Sequence, residues 1–183
     1  MPPEGLTRQA YFSAAFDLLA ERGHGGLTIA ALGQRLGVTK GSFYHHFRDF
    51  SEFVDALLAY WAAEHATNLI ALSASVPDAH ERFDVLLGIA VGLPHGAEAA
   101  IRAWSWSNAA VEATQRQVDQ ARLTHLIQAG RDAGLDPDRA RLMATISMSV
   151  LVGLQQLERP ADPRLVEQVF SELRAWTLAA ALP

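Results

Sequence analysis

From residue 8 onward the apolar positions recur at three- and four-residue spacing, interrupted by glycines, prolines and Ser/Thr/Asp/Asn caps, and no stretch alternates long enough for a strand. Residues 8 to 22 predict a helix whose broad apolar face holds Tyr11, Phe12, Ala15, Phe16, Leu18 and Leu19 and which closes at Gly23. After the turn His24-Gly25-Gly26, Thr28 caps a second helix with Ile29, Leu32 and Leu36 inward, and Gly37 supplies the left-handed residue that ends it. Val38 plugs the angle, and Thr39 is the expected N-cap of a third helix running from Lys40-Gly41-Ser42 to about Phe47. Phe43 and Phe47 fall on one face of it, while Tyr44 and His45 point elsewhere.

The same signals continue. Asp49-Phe50-Ser51-Glu52 is a capping-box pattern opening a long fourth helix, about 50 to 74, and Asp78-Ala79-His80-Glu81 repeats it for a fifth that ends near Gly92. Residues 97 to 106 predict a short sixth helix ending in Trp104-Ser105-Trp106. Asn108 caps a seventh, with Val111, Val118, Leu126 and Ile127 inward, closed by Gly134. Asp136-Pro137 and Asp162-Pro163 start the last two, each with Asp as cap and Pro at the first helical position. The expected fold is therefore all-α with about nine helices, and the chain divides into a three-helix segment, residues 1 to 48, and a larger helical domain, 49 to 183.

The eighth helix carries no charge from Leu142 to Leu157, and a helix apolar on every side must be covered on every side. A subunit interface drawn from Ile146, Val150, Gly153 and Leu157, with Val166, Val169, Phe170 and Leu173 of the ninth helix, satisfies that demand as an isologous four-helix contact. The alternative is that both helices simply fill one chain's core. A small-molecule cavity is expected among Trp61, His65, Phe83, Leu87, Trp104, Trp106, His125 and Met143, which combine an apolar lining with sparse polar groups. Aromatics and methionines at helical spacing serve equally well as core.

Two short capped helices joined by a tight turn, with Lys40, Ser42, Tyr44 and His45 free on the second, have the form of a helix-turn-helix, and the amides at the Thr39 end favour a phosphate. With Ala14-Ala-Phe-Asp-Leu-Leu-Ala-Glu-Arg-Gly23, Leu27-Thr28, Leu36-Gly37-Val38 and Thr39-Lys-Gly-Ser-Phe-Tyr-His-His-Phe47, the segment from Arg8 to Leu58 resembles the TetR family of bacterial repressors. The resemblance implies a homodimeric all-helical regulator that holds double-stranded operator DNA and answers to a small-molecule effector. It also implies that Thr28 caps its helix against a phosphate and that Thr39, Lys40, Ser42, Tyr44 and His45 face DNA. With the Gly41 amide and Arg48, these make the candidate DNA-contacting set. Two positions depart from the family pattern: Phe50 stands where a lysine is frequent, with Arg48 beside it as a substitute phosphate contact, and Gly33 replaces the usual alanine, at about 1 kcal/mol of helix propensity.

Composition narrows the function further. The 183 residues contain no cysteine, no charged leader ahead of an apolar run and no span of about 18 apolar residues, so a soluble cytoplasmic protein with no membrane association is expected. Residues 1 to 50 carry five Lys/Arg against four Asp/Glu, and the remainder ten against sixteen, so the acidic part is not the DNA-facing part. Catalysis is not expected: His45 and His46 diverge by about 100° on a helix, Glu64-His65 lacks the second histidine of a zinc-protease helix, and no phosphate loop or nucleophile elbow is present. No metal site and no cofactor is called for. The expected function is a ligand-responsive transcriptional repressor binding a near-palindromic operator as a dimer. The alternative is a helical small-molecule-binding or enzymatic protein with a vestigial helix-turn-helix.

Overall fold

A computed structural model describes residues 6–157 and 161–180, and the described residues are helical with no strand. In order they form α1 (Arg8–Arg22), α2 (Ile29–Leu36), α3 (Lys40–His46), α4 (Phe50–Ala62), a π-helical turn (Ala63–Thr67), α5 (Asn68–Ala74), α6 (Ala79–Gly92), α7 (His95–Ser105), α8 (Ala109–Asp132), α9 (Pro137–Leu157) and α10 (Pro163–Ala180). The expected fourth helix is thus helical along its whole length, but its hydrogen bonding passes through a π turn that separates α4 from α5.

Most boundaries are set by the side chains that announced them. Thr28 Oγ1 accepts from Ala31 N at 3.1 Å and Asp49 Oδ1 from Glu52 N at 2.8 Å, while Asp78 Oδ1 accepts from Glu81 N at 2.8 Å. Asn108 accepts from the amides of Ala110 and Val111, Asp136 from Asp138 and Arg139, and Asp162 from Arg164. The Glu52 carboxylate reaches back to Arg48 N at 2.8 Å, one residue ahead of the cap. Thr39 departs from expectation. Its backbone is extended, as a cap requires, but its hydroxyl takes no bond from the helix, and the first turn of α3 is closed by Ser42 N donating to the Thr39 carbonyl at 3.0 Å.

The chain divides into two compact units, the first comprising the residues up to Ala62 with Pro94–Gln115, the second Ala63–Leu93 with Arg116 onward. The first unit therefore extends past residue 48 to include α4, α7 and the start of α8, because α1 packs extensively on α7 as well as on α2. Gly96 permits the α1–α7 approach, since a Cβ there would lie 2.9 Å from the Ala20 Cβ. The core of this unit is aromatic: Phe43, Phe47 and Phe53 have ring centroids 5.0 to 5.5 Å apart, and Tyr11 meets Phe43 and Phe47 edge-on. Gly37 takes the left-handed conformation at φ 67°, and Val38 N then donates to the Gly33 carbonyl at 2.9 Å. That turn brings the Val38 carbonyl to 2.9 Å from where a Cβ on Gly33 would stand, so glycine at 33 fits the turn, and its propensity cost comes with a steric reason.

In the second unit α10 packs along α6, α5 also packs on α6, and α9 on α10. Leu135, Ala140 and Met143 form a buried cluster with Ile127 and Ile146 against it. Arg82 holds the entry to α6, donating to the Val76 carbonyl through Nε and Nη2 and pairing with Asp132 of α8.

Phe43, 1 % exposed, belongs both to α3 and to the aromatic core, so Phe43→Ala removes about 3 to 5 kcal/mol of stability, and the thermal midpoint of the first unit should drop accordingly by circular dichroism. A midpoint within a degree or two of the parent would show that the aromatic cluster does not hold α3.

Candidate functional site

The exposed side of α3 is produced by burial of its other side. Phe43 is driven inward, which turns Tyr44 and His45 out to solvent, with Tyr44 48 % exposed, and Lys40 is exposed at the start of the helix. Lys40 Nζ lies 5.8 Å from the Tyr44 ring centre and forms no ion pair among the described residues, so its charge is not consumed within the chain. Thr28, Thr39 and Gly41 are likewise exposed, and the α2–α3 angle leaves an open depression lined by Ala30, Gly33, Gln34, Val38, Thr39 and Lys40. Ser42 is half-buried, and its Oγ accepts from the Tyr11 hydroxyl at 3.1 Å, which leaves its own proton to donate.

Other cations of the segment are committed locally. Arg35 pairs with Glu21 and Asp17, and the Glu21 carboxyl is held below its usual range by the Arg35 hydrogen bond. Arg48 is exposed but pairs with Asp49, Nε to Oδ2 at 3.1 Å, so its guanidinium is partly neutralised. Phe50, in the position where a lysine is frequent, is half-buried and rests on Phe53 with centroids 5.8 Å apart, closing the aromatic core instead of reaching outward. Arg8 was not singled out from the sequence. It caps the end of α3, donating from Nη1 to the His46 carbonyl at 3.1 Å, with its guanidinium 4.4 Å over the Phe47 ring. A cation at the first position of the first amphipathic helix carries no sign that it serves a carbonyl 38 residues away.

The second unit holds a half-open cavity of about 110 Å³. Of the residues expected to line one, His65, Phe83, Leu87 and His125 do so, joined by Leu126, Met148, Leu151 and Phe170. Four do not. Trp61 is fully buried in the first unit, its Nε1 facing Glu98 Oε1 at 3.4 Å; Trp104 stacks on His24 at 5.7 Å; Trp106 is 89 % exposed; and Met143 is in the α8–α9 cluster. Sequence reasoning missed Arg122, Arg174 and Thr177, which line the same space. His65 and Ala66 reach it from the π turn, and such turns recur at functional sites because they displace helical register by one residue.

His125 bonds through Nε2 to Ser73 Oγ. Burial pushes its pKa below the ordinary 6.5, Arg82 lowers it further and Asp132 opposes the shift. The imidazole in the cavity wall is accordingly neutral near pH 7.

The interface residues expected on α9 and α10 fall into two groups. Val166 and Leu173 are buried within the chain, and Phe170 and Leu173 line the cavity, so these three are spent internally; Ile146 packs on the Leu135 cluster. Leu157 is exposed, Val150, Gly153 and Val169 are half-buried, and Leu142 and Trp176 are exposed as well.

A helix-turn-helix head with a separate cavity-bearing helical unit defines the class of protein. The family described as bacterial regulatory proteins, tetR family, matches residues 12–57. The class A tetracycline repressor from transposon 1721 of Escherichia coli is 36 % identical over 139 residues, 73 % of this chain and 59 % of the repressor, so the chain spans less than two thirds of that relative. Among solved structures, a transcriptional regulator from Rhodococcus sp. Rha1 shares the fold at TM-score 0.75 and 19 % identity, over 97 % of this chain and 100 % of that one. A regulator from Saccharomonospora viridis in complex with choline does so at TM-score 0.69 and 19 % identity, over 90 % and 93 %. Over residues 12–57 the chain belongs to the tetR family of bacterial regulatory proteins.

The lowered His125 pKa fixes the sign of a pH effect. Between the folded and unfolded values the unfolded chain binds more protons, so the stability present above about pH 6.5 is lost as pH falls through the folded value. The thermal midpoint is expected to fall more steeply from about pH 7.5 to 5.5 in the parent than in His125→Gln. Parallel curves would remove His125 from the account of acid sensitivity.

Proposed function

We propose that the chain is a ligand-responsive transcriptional repressor acting in the cytoplasm, which binds a near-palindromic operator as a homodimer and releases it when a small molecule occupies the cavity of the second unit. The observation that carries this reading is the exposed α3 surface of Lys40, Tyr44 and His45, fixed from behind by a buried aromatic core. Lys40 supplies a phosphate contact, Tyr44 and His45 supply donors for phosphates or base edges, and Thr28 and Gly41 bring the backbone close.

Dimerisation is the geometric requirement, since two α3 helices must meet half-sites about 34 to 36 Å apart. Leu142, Val150, Gly153 and Leu157 fall within one face of α9, and Val169 and Trp176 share a face of α10. Their exposure supports a self-complementary contact in which each chain covers the other's stripe.

The small-molecule part of the reading rests on the cavity and on the continuity of the chain beside it. The π turn that contributes His65 and Ala66 follows directly on α4, whose first residues Phe50 and Phe53 sit in the core behind α3. An effector acts only through a difference in affinity between the operator-bound and released conformations, and tenfold weaker operator binding needs about 1.4 kcal/mol of it. The Saccharomonospora regulator, which shares this fold, was solved in complex with choline, which favours a small-molecule partner for a protein built this way.

Lys40→Ala combined with Tyr44→Ala is expected to reduce operator affinity at least tenfold in mobility-shift titrations while the sedimentation coefficient stays that of the parent. Unchanged retardation would remove α3 from the DNA interface. Val150→Glu with Trp176→Glu is expected to sediment as a monomer; a stable dimer would place the interface elsewhere.

A further inference from the structure

We infer that the cavity of the second unit takes an uncharged hydroxyl compound, a compact aromatic or branched body of roughly six or seven carbons with one O–H to donate. This deepens the effector reading of that cavity and rests on it. Phe83, Leu87, Leu126, Leu151 and Phe170 make most of the lining apolar. Ser147, Thr177 and His125 also line it, and the bonds each already makes decide what it can still offer.

Ser147 Oγ donates to the Met143 carbonyl at 2.9 Å and Thr177 Oγ1 to the Leu173 carbonyl at 2.8 Å, so each hydroxyl has committed its single proton and keeps lone pairs. Ser73, fully buried, donates to the Ile70 carbonyl at 3.3 Å. Its Oγ therefore accepts from His125 Nε2, which fixes the neutral ring as the Nε2–H tautomer and leaves Nδ1 as an acceptor. All three groups offer a ligand lone pairs and no proton. Of the three, the imidazole nitrogen is the strongest base and so the strongest acceptor. A ligand with one O–H to donate matches this wall, whereas one with acceptors alone does not.

Charge of either sign is disfavoured. No Asp or Glu lines the cavity among the described residues, so an ammonium group would lose its hydration without gaining a counter-charge. The two guanidinium groups are engaged within the chain, Arg174 with Asp84 at 2.6 Å and Arg122 with the His65 carbonyl at 2.6 Å, and a carboxylate would also meet three acceptors. Size limits the body. A cavity of about 150 Å³ holds one benzene ring, so a half-open space of about 110 Å³ takes a single ring or a branched chain of similar bulk.

The test is calorimetric titration of the full chain, without DNA, with isomers of one formula: 4-methylphenol and benzyl alcohol, which donate, and methoxybenzene, which only accepts. Benzoate and benzylamine are titrated alongside. At least one hydroxyl compound is expected to bind about tenfold tighter than methoxybenzene, the two ions are expected to give no saturable heat, and His125→Phe is expected to abolish the preference. Methoxybenzene binding as tightly as both hydroxyl compounds, saturable binding of either ion, no binding of either hydroxyl compound, or an undiminished preference in His125→Phe overturns the inference. If His125→Phe does not fold, the nitrogen-15 shifts of His125 in the unaltered chain decide in its place: an unprotonated Nδ1 supports the inference and a protonated one overturns it. Mobility shifts on the same preparation separate the two readings. DNA binding without binding of a hydroxyl compound overturns the ligand class and leaves the regulator intact, whereas selective binding of a hydroxyl compound without DNA binding supports the ligand class and overturns the regulator.

Discussion

The packing of Phe43, Phe47 and Phe53 around Tyr11 is the constraint on which the rest depends. With only seven residues α3 is too short to be stable alone, so its position comes from tertiary contact and not from helical propensity. The aromatic rings supply that contact from three elements at once: Tyr11 and Phe12 of α1, Phe43 of α3 with Phe47 at its end, and Phe53 of α4. With Phe43 inward, the helical period leaves Tyr44 and His45 outward, while Lys40 is exposed as the first residue of α3. The exposed surface of α3 is therefore a consequence of the core, and Arg8 and Tyr11 secure it with hydrogen bonds to His46 and Ser42.

The second unit uses different physics. Its cavity is bounded mainly by aliphatic side chains with Phe83 and Phe170, while its polar groups are held by partners of their own: Arg174 by Asp84, Arg122 by a backbone carbonyl, His125 by Ser73. Each anchor reduces the rotamer freedom that binding would otherwise have to remove. Phe170 and Leu173 serve this cavity, which is why the outward stripe of α10 is carried by Val169 and Trp176.

What was legible in the sequence follows from range. Caps are local, so Thr28, Asp49, Asp78, Asn108, Asp136 and Asp162 marked their helices correctly. Thr39 fails as a side-chain cap because its rotamer is not dictated by sequence. The π turn at Ala63–Thr67 has no breaker residue to announce it, and the cavity residues come from five segments whose registers one-dimensional spacing cannot relate. Trp61, Trp104 and Trp106 suggested a ligand site by composition. Trp61 instead fills the core, Trp104 covers His24, and Trp106 lies beyond the end of α7, where no neighbour buries it. Gly33, a weak helix former by propensity, is explained only by the proximity of the Val38 carbonyl.

The twofold arrangement of two α3 helices on one duplex is tested most directly by selecting bound sequences from random DNA and footprinting the purified chain on the winner. The expected result is an inverted repeat whose half-sites are centred about one helical turn apart, protected symmetrically. A bound site with no symmetry, or no enriched sequence at all, would contradict it.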